Sequence, residues 1–125
     1  MQTRGADFSR LRQKLRELAY AAPQQVGLFL ESGPLIKGSV YTLRRRCSKP
    51  SCRCTRGEKH ETVVMTASID GKTRLWMLSD DQIPELRRRT ERYRQFRLAR
   101  AQLVKGQRET LRLIDAIEKA RTRQP

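Results

Sequence analysis

The sequence predicts an α+β fold: an N-terminal helix, a three-stranded antiparallel sheet with a zinc loop between its first two strands, and a long C-terminal helix. Three observations carry this. Apolar residues recur at three- and four-residue steps towards both ends of the chain. Asp70-Gly71, the composition of a two-residue hairpin turn, stands between the β-branched and apolar run Thr62 to Ile69 and a returning strand, Lys72 to Leu78. All three cysteines and the single histidine fall between positions 47 and 60. Segments 1–23 (helix), 24–79 (zinc-loop meander) and 80–125 (basic helical segment) are expected to form one domain.

Residues 7–21 read as an amphipathic helix. Phe8, Leu11, Leu15 and Leu18 make one stripe, and Arg10, Arg12, Lys14 and Arg16 fill the other faces. Asp7 or Ser9 suits its start, and Ala21-Ala22-Pro23 is expected to end it. One apolar stripe is what any surface helix shows, so packing is the expected role rather than binding. Residues 24–37 fit strand and helix equally, with a turn signal at Glu31-Ser32-Gly33-Pro34. Gly38 to Arg45 alternates as a strand does and feeds Arg44-Arg45-Arg46 into Cys47.

Thr62 to Ile69 and Lys72 to Leu78 make the hairpin. A type I′ turn at Asp70-Gly71 sets Ile69 against Lys72, Met65 against Trp76 and Val63 against Leu78. Val64 with Met77 and Thr66 with Leu75 make the other face. Both faces are largely apolar, so each is expected to be covered, with the terminal helices as the available covers. Trp76 could serve as a stacking platform for a base, but a lone Trp opposite Met65 is expected to be core.

From Ser79 onward the pattern is helical. Ser79 and Gln82 have capping-box spacing, Pro84 suits a first turn, and Asp80 and Asp81 suit the positive end of the helix dipole. Leu86, Tyr93, Phe96, Leu103, Leu111, Ile114 and Ile117 then track one side over a length that a three-stranded sheet cannot bury. The helix is expected to break near Gly106 or to pair with another helix, and the 103–117 stripe could join two copies.

The metal loop rests on Cys47, Cys52, Cys54 and His60, spaced C-x4-C-x-C-x5-H. Three thiolates and an imidazole are the donor set of a closed structural zinc site. Pro50 and Gly57 mark where the loop doubles back. An odd number of cysteines without the apolar core of a secretory signal argues against a disulfide framework, and Arg, Lys and Ser neighbours argue against buried thiols. Iron or another thiophilic metal is the alternative ion, and Glu58 or Glu61 the alternative fourth ligand. In a chain only 37% hydrophobic, a metal cross-link would add folding free energy that the core lacks. Thiols kept for a metal point to a reducing cytoplasm, and no apolar run is long enough to span a membrane.

The net charge of +15 calls for an anionic partner, and nucleic acid is the expected one. The loop carries Arg44, Arg45, Arg46, Lys49, Arg53, Arg56 and Lys59. With one Glu and a zinc–thiolate cluster of net −1, it stays near +5. The C-terminal helix adds Arg87, Arg88, Arg89 and Arg92, and arginine is the residue of phosphate and base-edge recognition. No helix-turn-helix or ββα-finger spacing is present, so backbone contact with little sequence preference is expected. Catalysis is not expected. Four protein ligands leave the metal no open position, and no paired carboxylates, Ser–His–Asp set or phosphate loop is visible.

The run Arg46-Cys47-Ser48-Lys49-Pro50-Ser51-Cys52-Arg53-Cys54, then Arg56-Gly57-Glu58-Lys59-His60, Gly71-Lys72-Thr73-Arg74 and Tyr93-Arg94-Gln95-Phe96, resembles a family of small basic proteins of unknown function. These occur in prokaryotes and phages, often near transposases. The family's hallmark is C-G-K-P-x-C-x-C followed by R-G-x-x-H, a G-K-x-R hairpin and Tyr-Arg-x-Phe. Ser48 replaces the usual glycine, and Glu61-Thr62-Val63 stands where an aromatic pair often follows the histidine. Over roughly residues 36–100 the resemblance implies a shared fold and metal, and a link to transposition. The expected function is a non-catalytic zinc protein that binds nucleic acid, DNA ahead of RNA. The rival is a zinc-stabilised adaptor whose C-terminal helix docks a transposase-type partner or a second copy.

Overall fold

The computed structural model describes residues 4–46, 49–52, 57 and 59–124. Their order is helix α1 (Arg4–Val26), a 3-10 turn (Gly27–Leu30), strands β1 (Ser39–Arg45), β2 (His60–Ile69) and β3 (Lys72–Met77), and helix α2 (Ile83–Arg121). The residues divide into two units, Gly33–Gln95 and the remainder on either side of it. Among the described residues no helix is long and apolar enough to cross a membrane.

In the unit Gly33–Gln95 the three strands form an antiparallel meander in the order β1-β2-β3. Asp70 (φ 53°) and Gly71 (φ 79°) both occupy the left-handed region, which a type I′ turn requires and only glycine adopts without cost. The register follows: Ile69 opposes Lys72, Thr66 opposes Leu75, Met65 opposes Trp76 and Val64 opposes Met77. Leu78 donates its amide to the Val63 carbonyl at 3.0 Å just past the ladder. On the other side β1 pairs from Ser39 with Thr66 to Arg45 with His60.

Val64 is completely buried, and so, nearly, is Thr90 of α2. The Thr90 hydroxyl donates to the carbonyls of Leu86 (2.9 Å) and Arg87 (3.1 Å), so it enters the core with its hydrogen bonds made inside its own helix. The segment leading to β1 is held to the helix by the Ile36 amide, which donates to the Arg89 carbonyl at 3.1 Å. Gly38 brings two backbones together: a Cβ there would lie 2.7 Å from the Thr66 carbonyl oxygen.

The expectation that both sheet faces are covered does not hold. β3 is exposed along its whole length, with Leu75 at 48%, Trp76 at 36% and Met77 at 60%. Trp76 is thus not the core residue expected. β3 is an edge strand, as β1 is, and the pre-β1 segment and α2 within this unit bond to each other, as Ile36 with Arg89 shows.

Both ends of α1 differ from expectation. α1 starts at Arg4 and continues through Pro23 to Val26. Pro23 has no amide to donate to the carbonyl four residues back, that of Ala19, so that helix hydrogen bond is lost, and the helix runs only three residues further before the chain tightens into the 3-10 turn. α2 does not break at Gly106, whose carbonyl accepts the Thr110 hydroxyl at 2.9 Å. Its second half, from Phe96 on, shares a unit with α1. Leu113 is fully buried there, and the rings of Phe29 and Phe96 meet edge to face at 4.9 Å. Phe8 and Leu11 of α1 line a hollow with Ala116 and Ala120 of α2.

The start of α2 uses half of a capping box. The Gln82 side-chain oxygen accepts the Ser79 amide at 3.1 Å, and the Gln82 amide donates to the Ser79 carbonyl at 3.0 Å, leaving the Ser79 hydroxyl to donate to Gln82 and Asp81. The Ser79 hydrogen bond holds the Asp81 carboxyl below the usual carboxylate range.

Candidate metal centre and nucleic-acid interface

Four of the expected site residues, Cys47, Cys54, Arg53 and Arg56, lie outside the described residues, as does Glu58. The other loop residues gather at one end of the β1–β2 ladder. His60 opens β2 and stands directly opposite Arg45, so the two side chains share a sheet face. Lys49 to Cys52 forms a tight turn in which the Cys52 amide donates to the Lys49 carbonyl at 3.2 Å, with Pro50 in the position whose φ it pre-sets. This turn delivers the Cys52 sulfur to 3.0 Å from Nε2 of His60, across eight residues of sequence.

Thiol and imidazole at that distance are hydrogen-bonded, and they are also two of the four donors expected for zinc. Bond lengths of about 2.3 Å to sulfur and 2.0 Å to nitrogen put two donors of a tetrahedral ion roughly 3.5 Å apart. The Cys52–His60 pair therefore fits the group in chemistry, while its 3.0 Å separation is the shorter one of a direct hydrogen bond. Among the described residues no cluster of three or more His, Cys, Asp and Glu side chains forms. Glu61, the neighbour that could have replaced His60, lies on the opposite face of the strand and pairs with Arg44 at 3.0 Å. Of the two, it is His60 that meets Cys52.

Around this pair Arg44, Arg45, Arg46, Lys49 and Lys59 are all exposed. Glu61 offsets one of these charges, and the cluster remains strongly cationic.

The α2 arginines are more heavily used within the fold. Arg88 and Arg89 both pair with Glu85, at 2.7 and 2.9 Å, and these hydrogen bonds, Arg88 first, hold the Glu85 carboxyl below the ordinary glutamate range. Arg92 lies over Gly33, whose missing Cβ would sit 2.6 Å from the guanidinium. Arg87 is exposed and has no ion pair among the described residues.

One feature escaped the sequence reading. Lys37, Ser39, Thr66, Ser68, Thr73, Tyr93 and Arg94 line an open hollow of about 380 Å³. Its signal was in the register, since Ser39 opposes Thr66 and Ser68 opposes Thr73, two hydroxyl pairs on one face.

No curated protein and no solved structure matches the chain. The pattern of one family, described as a domain of unknown function, matches residues 8–88, more than half of the sequence. The chain accordingly belongs to the DUF6788 family of domains of unknown function.

Proposed function

We propose that the protein is a non-catalytic, zinc-containing nucleic-acid-binding accessory protein, cytoplasmic, with DNA favoured over RNA and a role tied to a mobile element. The observation that carries the reading is the meeting of Cys52 with His60 on the residue opposite Arg45, at the cationic end of the ladder. In this reading Cys47, Cys52, Cys54 and His60 hold Zn²⁺, and the ion adds folding free energy to a segment with little apolar surface of its own. With four protein donors the ion has no position for substrate, so its role is structural. The ordered loop then presents Arg45, Arg46, Lys49 and Lys59 to phosphates, while Arg53 and Arg56 belong to the same cationic run. The mobile-element role rests on the resemblance of the loop to proteins found near transposases.

Affinity for nucleic acid measured across a salt series tests the reading. Log affinity should fall linearly with log salt, and Arg45→Glu with Arg46→Glu should flatten the slope by about 0.7–0.9 per phosphate contact removed. Binding by that double variant unchanged at every salt concentration would remove the loop from the interface.

The rival adaptor reading draws on Leu98, Leu111 and Ile114, which α2 leaves exposed. Salt-insensitive capture of a transposase-type partner, or of a second copy, without nucleic-acid binding would favour it.

A further inference from the structure

We propose that the sheet face carrying Trp76 is a stacking platform for single-stranded nucleic acid, an inference that rests on the polyanion-binding reading above and specifies the strandedness it takes. Directly opposed residues share a face, so Val40, Met65 and Trp76 form one row across all three strands. Lys72 and Arg74 lie on that same face, four and two residues before Trp76 on β3, roughly 14 and 7 Å along the strand. Among the described residues neither cation has a carboxylate partner. Trp76 is 36% exposed, on an edge strand whose residues are all exposed. An open aromatic ring with cations in line along its strand is the arrangement that stacks a base and neutralises its backbone. Duplex bases are already stacked on one another, so such a ring engages unpaired bases and not a helix.

A second copy pairing along β3 is the competing occupant, and charge argues against it. Edge-to-edge pairing would crowd the Lys72 and Arg74 side chains of two chains that each carry +15. The same charge attracts a polyanion.

The chain contains one tryptophan, so its emission reports this face alone. The full chain is titrated with a single-stranded oligothymidylate and with a duplex of equal length, following anisotropy of a labelled strand for binding and indole emission for stacking. Single strands should quench the emission saturably and duplex should not. Trp76→Ala should weaken single-strand binding about 5- to 100-fold, with duplex binding unchanged and circular dichroism preserved. Trp76→Phe, which keeps a ring, should retain most of the affinity. Single-strand binding with unaltered emission, or full affinity in a folded Trp76→Ala chain, would overturn the platform and leave the polyanion reading standing. Absence of binding to either probe at low salt would withdraw both. A concentration-dependent dimer that Trp76→Ala abolishes would assign the face to a second copy and overturn the platform.

Discussion

Cys52 and His60 meet with Sγ and Nε2 3.0 Å apart, while Glu61, the next residue along, turns to the other face and pairs with Arg44. Strand alternation makes this a choice between neighbours: a residue on one face of β2 cannot serve a ligand set on the other. Cys52→Ser and His60→Ala are therefore expected to lower zinc content well below stoichiometry, whereas Glu61→Gln leaves it unchanged. Metal analysis of the three purified variants checks this. Loss of metal in Glu61→Gln alone would reverse the assignment.

Much of the meander was legible because its rules are local. Asp70-Gly71 specifies a turn, the turn fixes the register, and the register pairs Met65 with Trp76 and Val64 with Met77. What lay beyond was decided by partners distant in sequence. Pro23 was expected to stop α1, but the helix runs on for three more residues despite the hydrogen bond that the missing amide forfeits. Gly106 was a reasonable break until α1 is set beside the second half of α2. Trp76 pairs with Met65 as expected and is still exposed, because pairing says nothing of what lies above an edge strand. In the candidate site, the sequence put forward both His60 and Glu61, and the strand's alternation sets His60 beside Cys52 and Glu61 on the other face.

Two glycines should respond to alanine with opposite signs. At Gly38 a Cβ would meet the Thr66 carbonyl oxygen at 2.7 Å and the Ala67 Cβ at 3.3 Å, so Gly38→Ala forces backbones apart and is expected to cost about 1–3 kcal/mol. At Gly106 nothing lies within 4 Å, and the residue sits inside α2. Gly106→Ala should stabilise by about 0.5–1 kcal/mol through helix propensity. Urea denaturation midpoints measure both. A stabilising Gly38→Ala would contradict the close approach of the backbones.

The paired and unpaired arginines of α2 should separate in binding. Arg88 is held by Glu85, while Arg87 has no ion pair among the described residues. Arg87→Gln is expected to flatten the salt dependence of nucleic-acid affinity by about one contact. Arg88→Gln, losing a charge already offset, should leave the slope nearly unchanged. Equal effects of the two variants would count against this division.

The start of α2 should weaken in acid. The Glu85 carboxyl is held below its ordinary range by hydrogen bonds from Arg88 and Arg89. A lowered folded-state pKa contributes stability that is complete above the unfolded-state value and is lost as pH falls through the folded one. The difference in thermal midpoint between the wild-type chain and Glu85→Gln should thus be largest near neutrality and shrink towards strong acid. A difference independent of pH would contradict the assignment.

Metal stoichiometry tests the central claim most directly. Freshly purified chain, analysed by inductively coupled plasma mass spectrometry, should contain one zinc per molecule. A strong chelator should remove the ion and with it both ordered loop structure and nucleic-acid affinity. A metal-free chain that folds and binds nucleic acid with the same affinity and salt dependence would contradict the account.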